Sequence, residues 1–457
     1  MIDLSGKQVV VVGLGKSGSS TARALLAAGA AVRVTEGSSS AAILEQADAL
    51  EKLGAVVETG GHDLAGLRGD LAVLSPGVPL HAPVVRTLVD AGVPLWSEIE
   101  LAYRMADCDL LAVTGTNGKT TTTSLLAAML QEAGIPSAAA GNIGLPLIDV
   151  VKDIGPEGAI AVEVSSFQLA TIRSFHPKVA VVLNVAEDHT DWHGTVEAYA
   201  ADKARVTINQ GASDTLLVNA DDEWCMKIAA GSHARVVPFS RERVPEGGVG
   251  VESGRLRLYG GSLTAIDELP LAGAAGLEDT LAAAGAAEAY GIEHGAIERA
   301  IKRFRPLSHR LEEVAAFGGV TYINDSKATN PHATLAAVQG LTGVVLIAGG
   351  RSKGIDLAPL REAVPPVVAV VALGEATEEI ARVFEGMVPV DRAASMEAAV
   401  TLATRRSSSG GSVLLSPGCA SLDMYESYAA RGEHFARAVR AVMDTSTNEG
   451  TGESGNA

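Results

Sequence analysis

The sequence predicts an α/β fold of three successive units, each a mostly parallel sheet covered by helices. Three observations carry that expectation. Short apolar runs recur along the chain, end in glycine-rich or polar loops, and alternate with helical-looking segments, the pattern of strands buried on both faces. The 50 glycines among 457 residues suit many tight strand–helix turns. A chain of this length also holds roughly three domains.

The first unit, residues 1–106, opens with an apolar strand over 8–12, then Gly13-Leu14-Gly15-Lys16-Ser17-Gly18, a helix over 19–28 and a strand over 31–35. That is the dinucleotide-fingerprint spacing, with Glu36 where a ribose-binding acid sits, so the unit reads as Rossmann-like. Alone the motif suits NAD, a nucleotide-linked substrate, or a plain tight turn. A later strand over 71–74 ends in Ser75-Pro76-Gly77.

The second unit, residues 107–304, holds the most telling stretch. After the apolar Leu110-Leu111-Ala112-Val113 comes Thr114-Gly115-Thr116-Asn117-Gly118-Lys119-Thr120-Thr121, then helical-looking residues 124–130. Strand, glycine loop, Lys-Thr and helix form a phosphate cradle. Backbone N–H groups face the anion, the lysine neutralises charge and the hydroxyl can hold Mg²⁺. The unit therefore reads as a P-loop-type mononucleotide-binding domain with a parallel sheet, although a glycine is expected where Val113 stands. Two more strands, over 159–164 and 179–183, end in polar clusters. The first contains Glu163, a carboxylate suited to a Mg²⁺ held by Thr120 and phosphate oxygens. The second leads to Glu187-Asp188-His189, where a metal or proton-transfer role for the histidine and a purely structural one are equally open. Lys203 by itself looks like any lysine on a helix face.

The third unit, residues 305–445, has strands over 320–323, 343–348, 367–373 and 412–415. They lead into Asn324-Asp325-Ser326-Lys327, Gly349-Gly350-Arg351-Ser352-Lys353 and Ser416-Pro417-Gly418, again loops suited to anions. This unit too reads as Rossmann-like. The stretch 446–457, rich in Ser, Thr, Gly, Asn and Glu, is expected to be a disordered tail.

Composition narrows the function. The net charge of −18 argues against general nucleic-acid affinity and requires local positive groups for any anionic substrate. Cys108, Cys225 and Cys419 are too few and too scattered for a disulfide framework or a zinc site. The amino terminus lacks a basic-then-apolar signal, and no apolar run approaches the roughly 18 residues that span a bilayer. Cytoplasmic is therefore the default expectation, and a monomer is expected.

Gly115–Thr121, Glu163-Val164-Ser165-Ser166-Phe167-Gln168-Leu169, Asp188-His189 and Lys203 together resemble the central domain of the Mur ligases. Those ATP-dependent enzymes add amino acids to the peptidoglycan precursor. The resemblance continues through Ser308-His309-Arg310, residues 324–330 and residues 415–423, and so covers nearly the whole chain. The Ser-Ser-Phe-Gln-Leu version, the Gly13–Gly18 loop and the length look like the member that adds D-glutamate to UDP-N-acetylmuramoyl-L-alanine.

That resemblance implies an acyl phosphate made from the substrate carboxylate and ATP, then attacked by the amine of D-glutamate. Lys119 and two Mg²⁺ ions would offset the repulsion between carboxylate and triphosphate. Gly115, Thr116, Asn117, Gly118, Lys119, Thr120 and Thr121 would hold ATP, with Arg310, Asp325 and Lys327 from the third unit. Thr120 and Glu163 would hold one metal, and His189 the second. Lys203 matches a family lysine that reacts with CO₂ to form a carbamate, which turns a cation into a metal-facing anion. Lys16, Ser17, Glu36, Ser75 and Asn142 would bind the UDP-sugar, and Thr329, Lys353, Ser421 and Tyr428 the D-glutamate.

One departure stands out. The family's adenine segment reads Gly-x-His-Asn-x-x-Asn, but here Gly273-Ala274-Ala275-Gly276-Leu277-Glu278-Asp279 lacks the histidine and both asparagines. Other readings are a different member of the superfamily, such as a folylpolyglutamate synthase, or a non-catalytic nucleotide-binding relative. A NAD-dependent oxidoreductase would leave Gly115–Thr121 and Lys203 unexplained.

Overall fold

The computed structural model of the chain describes residues 2–271 and 273–450. They form two compact units. The first comprises the chain up to Val185, Glu197–Glu268 and Asp279–Arg303; the second comprises Ala186–Val196, Leu269–Glu278 and the chain from Phe304 on.

The first unit contains three sheets. Strands β1 (Gln8–Val12), β2 (Ala31–Glu36), β3 (Val56–Thr59), β4 (Leu71–Leu74) and β5 (Leu95–Ser97) form a parallel sheet in the order β3-β2-β1-β4-β5. Val9–Val12 and Leu71–Leu74 are wholly buried, which is why these strands read as unbroken apolar runs rather than alternating ones. The order reverses at β1 and β4, so the Gly13 and Ser75 loops open into one crevice at the carboxyl edge. The helix begins at Lys16, earlier than the sequence suggests, because Gly18 must pack against the turn. A Cβ at Gly18 would meet the carbonyl oxygen of Gly13 at 2.0 Å.

The second sheet is built from β6 (Asp109–Thr114), β7 (Ser137–Gly141), β8 (Ala159–Glu163), β9 (Val179–Val182), β10 (Thr215–Asn219) and β11 (Arg235–Phe239). It is parallel throughout, in the order β11-β10-β9-β6-β8-β7. The phosphate-cradle sequence follows β6, between the ends of β8 and β9. Val113 is fully buried in β6, opposite Glu163 and Val181, so a β-branched residue suits a position where the general pattern has glycine. A small antiparallel sheet of β12 (Gly250–Glu252), β13 (Arg255–Leu258) and β14 (Gly261–Ala265) completes the unit and was not foreseen from sequence.

The second unit is organised around β15 (Glu312–Phe317), β16 (Val320–Asn324), β17 (Val344–Gly349), β18 (Val367–Leu373), β19 (Val390–Ala393) and β20 (Ser412–Leu415). Their order is β15-β16-β20-β17-β18-β19, with only β15 antiparallel. Apolar clusters cover both faces, one centred on Leu346, Leu360 and Phe384, the other on Val345, Val371 and Phe435. The last helix runs Tyr428–Gly450, into the stretch whose composition suggests a tail; residues 451–457 lie outside the described residues. Among the described residues no helix is long and apolar enough to cross a membrane.

One buried acid ties the first two sheets together. Glu100, fully buried on the helix Glu98–Met105, accepts backbone N–H bonds from Arg173, Ser174 and Phe175 at 2.8–2.9 Å and pairs with Arg104 at 2.6 Å. Glu100→Ala would strand three amides at once and leave Arg104 without its carboxylate partner. Its urea-unfolding midpoint should fall by the equivalent of about 2–4 kcal/mol, and an unchanged midpoint would refute the tie.

Candidate active site

In the first-sheet crevice Gly13 adopts φ +94° and its carbonyl accepts from Ser75 Oγ at 3.2 Å. Glu36 ends β2 and spends both carboxylate oxygens on the surrounding loops. It accepts from the Leu14 N–H at 2.6 Å and the Ser38 N–H at 2.7 Å. Lys16 donates to the carbonyl of Gly144, which brings it to the loop containing Asn142. Ser17 Oγ is buried with no hydrogen-bond partner. Lys16, Ser17, Ser75 and Glu36 thus share one crevice, with Glu36 acting on main chain.

The cradle is set by two glycines that side chains would not fit. Gly115 has φ +153° and a Cβ there would meet Leu183 Cβ at 2.9 Å; Gly118 has φ +84° and a Cβ would meet Asp279 Oδ1 at 2.2 Å. The helix Lys119–Glu132 starts immediately after, so its amino-terminal dipole faces the loop. Thr120 lies half-buried at its second position and Thr121 is buried. Lys119 Nζ donates to the carbonyls of Gly115 (2.8 Å) and Thr116 (2.7 Å). Lys203 reaches the same Gly115 carbonyl at 2.7 Å from the helix Val196–Ala204. It is 1% exposed and its ammonium sits 4.2 Å from the Tyr199 ring centroid. The two lysines read separately from sequence therefore meet on one oxygen.

Glu163 ends β8 beside the cradle. Its Oε1 accepts from Asn142 Nδ2 at 2.8 Å, while Oε2 is buried with no hydrogen-bond partner. A buried, unsatisfied carboxylate oxygen at the strand end beside a phosphate cradle, whose following helix carries Thr120 at its second position, fits a hard divalent cation such as Mg²⁺, which takes one or two carboxylates and leaves other positions to water and phosphate. Among the described residues no cluster of three or more His, Cys, Asp or Glu side chains is assembled for a metal. The Ser165–Gln168 segment fixes the Glu163 end by a capping box: Gln168 N–H donates to Ser165 Oγ at 3.3 Å and Ser165 N–H to Gln168 Oε1 at 3.0 Å.

The second unit holds its own group. His189 takes φ +53°, its N–H bonded to Asp188 Oδ1 at 2.9 Å, and Asn330 Nδ2 donates to Asp188 Oδ2 at 3.1 Å. Asp325, at the end of β16, accepts from Ser416 Oγ at 2.8 Å, and burial raises its carboxyl to about 7. Arg310 and Thr329 lie half-buried on flanking loops, Lys353 takes φ +56° and Ser421 is buried. The Tyr428 ring lies 3.8 Å below the Lys327 ammonium, so a residue assigned to the amino acid and one assigned to ATP share a cation–π contact.

Two residues that the sequence reading left out of the site do structural work there. Asn184, just past β9, uses Oδ1 to accept from the N–H groups of Thr116 (3.1 Å) and Asn117 (2.8 Å), which holds the first half of the cradle. Asp279 accepts from Thr122 Oγ1 at 3.2 Å and packs on Gly118. A polar residue closing an apolar strand was the only signal for Asn184. Asp279 stands at the last position of the adenine segment, which here opens the helix Gly273–Tyr290.

A cradle at the switch point of a parallel sheet, with two lysines and a buried, unsatisfied acid around it, has the make-up of a nucleotide-phosphate site that takes Mg²⁺. Three family signatures match along the chain: the Mur ligase MurD-like N-terminal domain over residues 7–97, the Mur ligase middle domain over 113–287, and the Mur ligase glutamate ligase domain over 309–419. The chain belongs to the Mur ligase family, whose members are amide-forming ligases that use ATP and Mg²⁺. It is 42% identical over 449 residues to a protein of Acidobacterium capsulatum, covering 96% of this chain and 97% of that one. It is 44% identical over 450 residues to one of Frankia casuarinae, covering 96% and 95%. Both are named UDP-N-acetylmuramoylalanine–D-glutamate ligase. The fold is shared with a pseudomurein peptide ligase type C from Methanothermus fervidus (TM-score 0.62, 17% identity, 96% of this chain and all of that one).

Glu98 supports the Asn142 loop from below. It is fully buried, accepts the N–H of Ile148 at 2.7 Å, and burial raises its carboxyl to about 7. Folding therefore favours its protonated form. Its contribution is greatest below the unfolded pKa near 4.5 and declines as pH climbs toward 7. Glu98→Gln removes that slope: relative to wild type, the variant should gain about 1–3 kcal/mol between pH 4.5 and 7.5 in parallel thermal melts. Parallel curves for the two proteins would contradict the burial argument.

Proposed function

We propose that this chain joins D-glutamate to UDP-N-acetylmuramoyl-L-alanine at the expense of ATP, releasing ADP and phosphate in peptidoglycan precursor synthesis. The observation that carries this reading is the convergence of Lys119 and Lys203 on the Gly115 carbonyl, beside the unsatisfied oxygen of Glu163. The names of the relatives above 40% identity agree with it.

The substrate carboxylate attacks the γ-phosphorus of ATP, and the bond from that phosphorus to ADP breaks. The D-glutamate nitrogen then attacks the acyl carbon; the carbon–oxygen bond to phosphate breaks with its electron pair, and the amine gives up a proton. The amides of the cradle and Lys119 bind and orient the phosphates. Thr120 and Glu163 would hold one Mg²⁺ and His189 a second, a role that would occupy the imidazole lone pair and leave no free base there. Bound there, Mg²⁺ neutralises phosphate charge and draws electrons from the reacting phosphorus. Lys203 would attack CO₂ through its neutral amine, forming an N–C bond and losing a proton, so that the carbamate would place an anion where the ammonium stands. This step also removes one of the two cations crowding the Gly115 carbonyl.

The first crevice, with Lys16, Ser17, Ser75 and Asn142, takes the UDP-sugar, and Glu36 shapes the loops that receive it. Arg310, Asp325 and Lys327 serve ATP; Thr329, Lys353, Ser421 and Tyr428 serve D-glutamate. The protein works in the cytoplasm as a monomer.

Phosphate release from ATP, Mg²⁺ and UDP-N-acetylmuramoyl-L-alanine should occur with D-glutamate and be at least about a hundredfold slower with L-glutamate, L-alanine or a diamino acid. Turnover with a different acceptor, or with none, overturns the assignment. Lys203→Ala should lose about 10³-fold in kcat and recover partly with an added short carboxylate such as formate. Full activity without the additive would remove the carbamate role.

A further inference from the structure

Asp279 sets a carboxylate against the phosphate cradle. It is 7% exposed, and its Oδ1 accepts from Thr122 Oγ1 at 3.2 Å. A Cβ on Gly118 would stand 2.2 Å from that same oxygen. One bond length further back, the Gly118 Cα therefore lies within about 4 Å of it.

Gly118 belongs to the half of the cradle that faces a ligand. Asn184 Oδ1 already takes the amides of Thr116 and Asn117. That leaves Gly118 and the first turn of the helix Lys119–Glu132, whose leading N–H groups have no acceptor within the helix. By bond lengths alone, an anion bonded to the Gly118 N–H stands within about 8 Å of Asp279 Oδ1.

A carboxylate in this place acts against phosphate. It sits at the positive end of the helix dipole and competes for the same field. Because the side chain is nearly buried, bulk salt screens it little. Holding the loop does not require the charge, since an asparagine of the same shape would accept the same Thr122 hydrogen bond. The repulsion scales with the charge of the ligand, and a Mg²⁺ ion on the phosphates cancels part of that charge. Two acids thus work in one direction: the unsatisfied oxygen of Glu163 attracts the metal, and Asp279 penalises polyphosphate that arrives without it.

We propose that Asp279 is a specificity-determining residue that makes the cradle select metal-complexed over metal-free polyphosphate, acting on the phosphates and not on the base. This rests on the reading of the cradle as the ATP site.

The test is calorimetric titration of the full chain with ATP, and separately with tripolyphosphate, each in excess Mg²⁺ or in EDTA. D279N should bind metal-free ATP about tenfold or more tighter than the wild type, and the Mg²⁺ complex no more than about threefold tighter. Tripolyphosphate, which has no base, should show the same pattern. D279S, smaller and also uncharged, should reproduce it. T122V keeps the carboxylate while removing its hydrogen bond, and should retain the wild-type discrimination. An unchanged metal-free affinity in D279N and D279S, a gain confined to ATP, or an equal gain in T122V would overturn the proposal. Failure of the wild-type protein to bind the Mg²⁺ complex of ATP would instead overturn the reading of the cradle itself.

Discussion

Two ammonium groups share the carbonyl oxygen of Gly115, and the central site is arranged around that acceptor. Charges bonded to one oxygen stand within about 5.5 Å of each other, where their repulsion at an effective dielectric of 20 is roughly 3 kcal/mol. The arrangement persists because it is over-determined. Gly115 has no Cβ to collide with Leu183, Asn184 fixes the next two amides, and Tyr199 lies beneath one of the cations. An anion held in the cradle lies close to both cations and offsets their repulsion, so that relief adds to the contacts the anion makes. Strain of this kind is a form of preorganisation.

The same design recurs at the other sheet edges, with different partners. Glu36 gathers two loops of the first sheet by accepting their amides, and Arg431 gathers two loops of the last by donating to the carbonyls of Ser326 and Cys419. In each case a charged side chain at or below a carboxyl edge shapes main chain, and the residues facing outward are left for ligands. Strands carry the framework; buried charges set the loops.

Much of this was legible in the sequence. The strands buried on both faces appeared as apolar runs, and the Gly115–Thr121 loop announced its chemistry through spacing alone. Val113 was a false alarm, since strand pairing explains a valine there. What escaped was mostly non-local. The antiparallel β12–β14 sheet is short and half-exposed, with no strong pattern, and β15 pairs by a hairpin that only the sheet defines. Asn184 and Arg431 look unremarkable until their partners, far off in sequence, are known. Lys203 shows the limit most sharply: nothing on its helix separates it from an exposed lysine, and family likeness, not local pattern, raised its standing.

The segments Ala186–Val196 and Leu269–Glu278 belong by packing to the second compact unit, although the chain around them builds the first. The backbone therefore passes from one unit to the other and back before the second unit's own sheet has begun. During synthesis the His189 segment leaves the ribosome long before Asn330, whose amide holds Asp188 in place. Neither unit is a continuous stretch of chain, and the second holds residues as far apart in synthesis as Asp188 and Asn330, so it is complete only when both have been made.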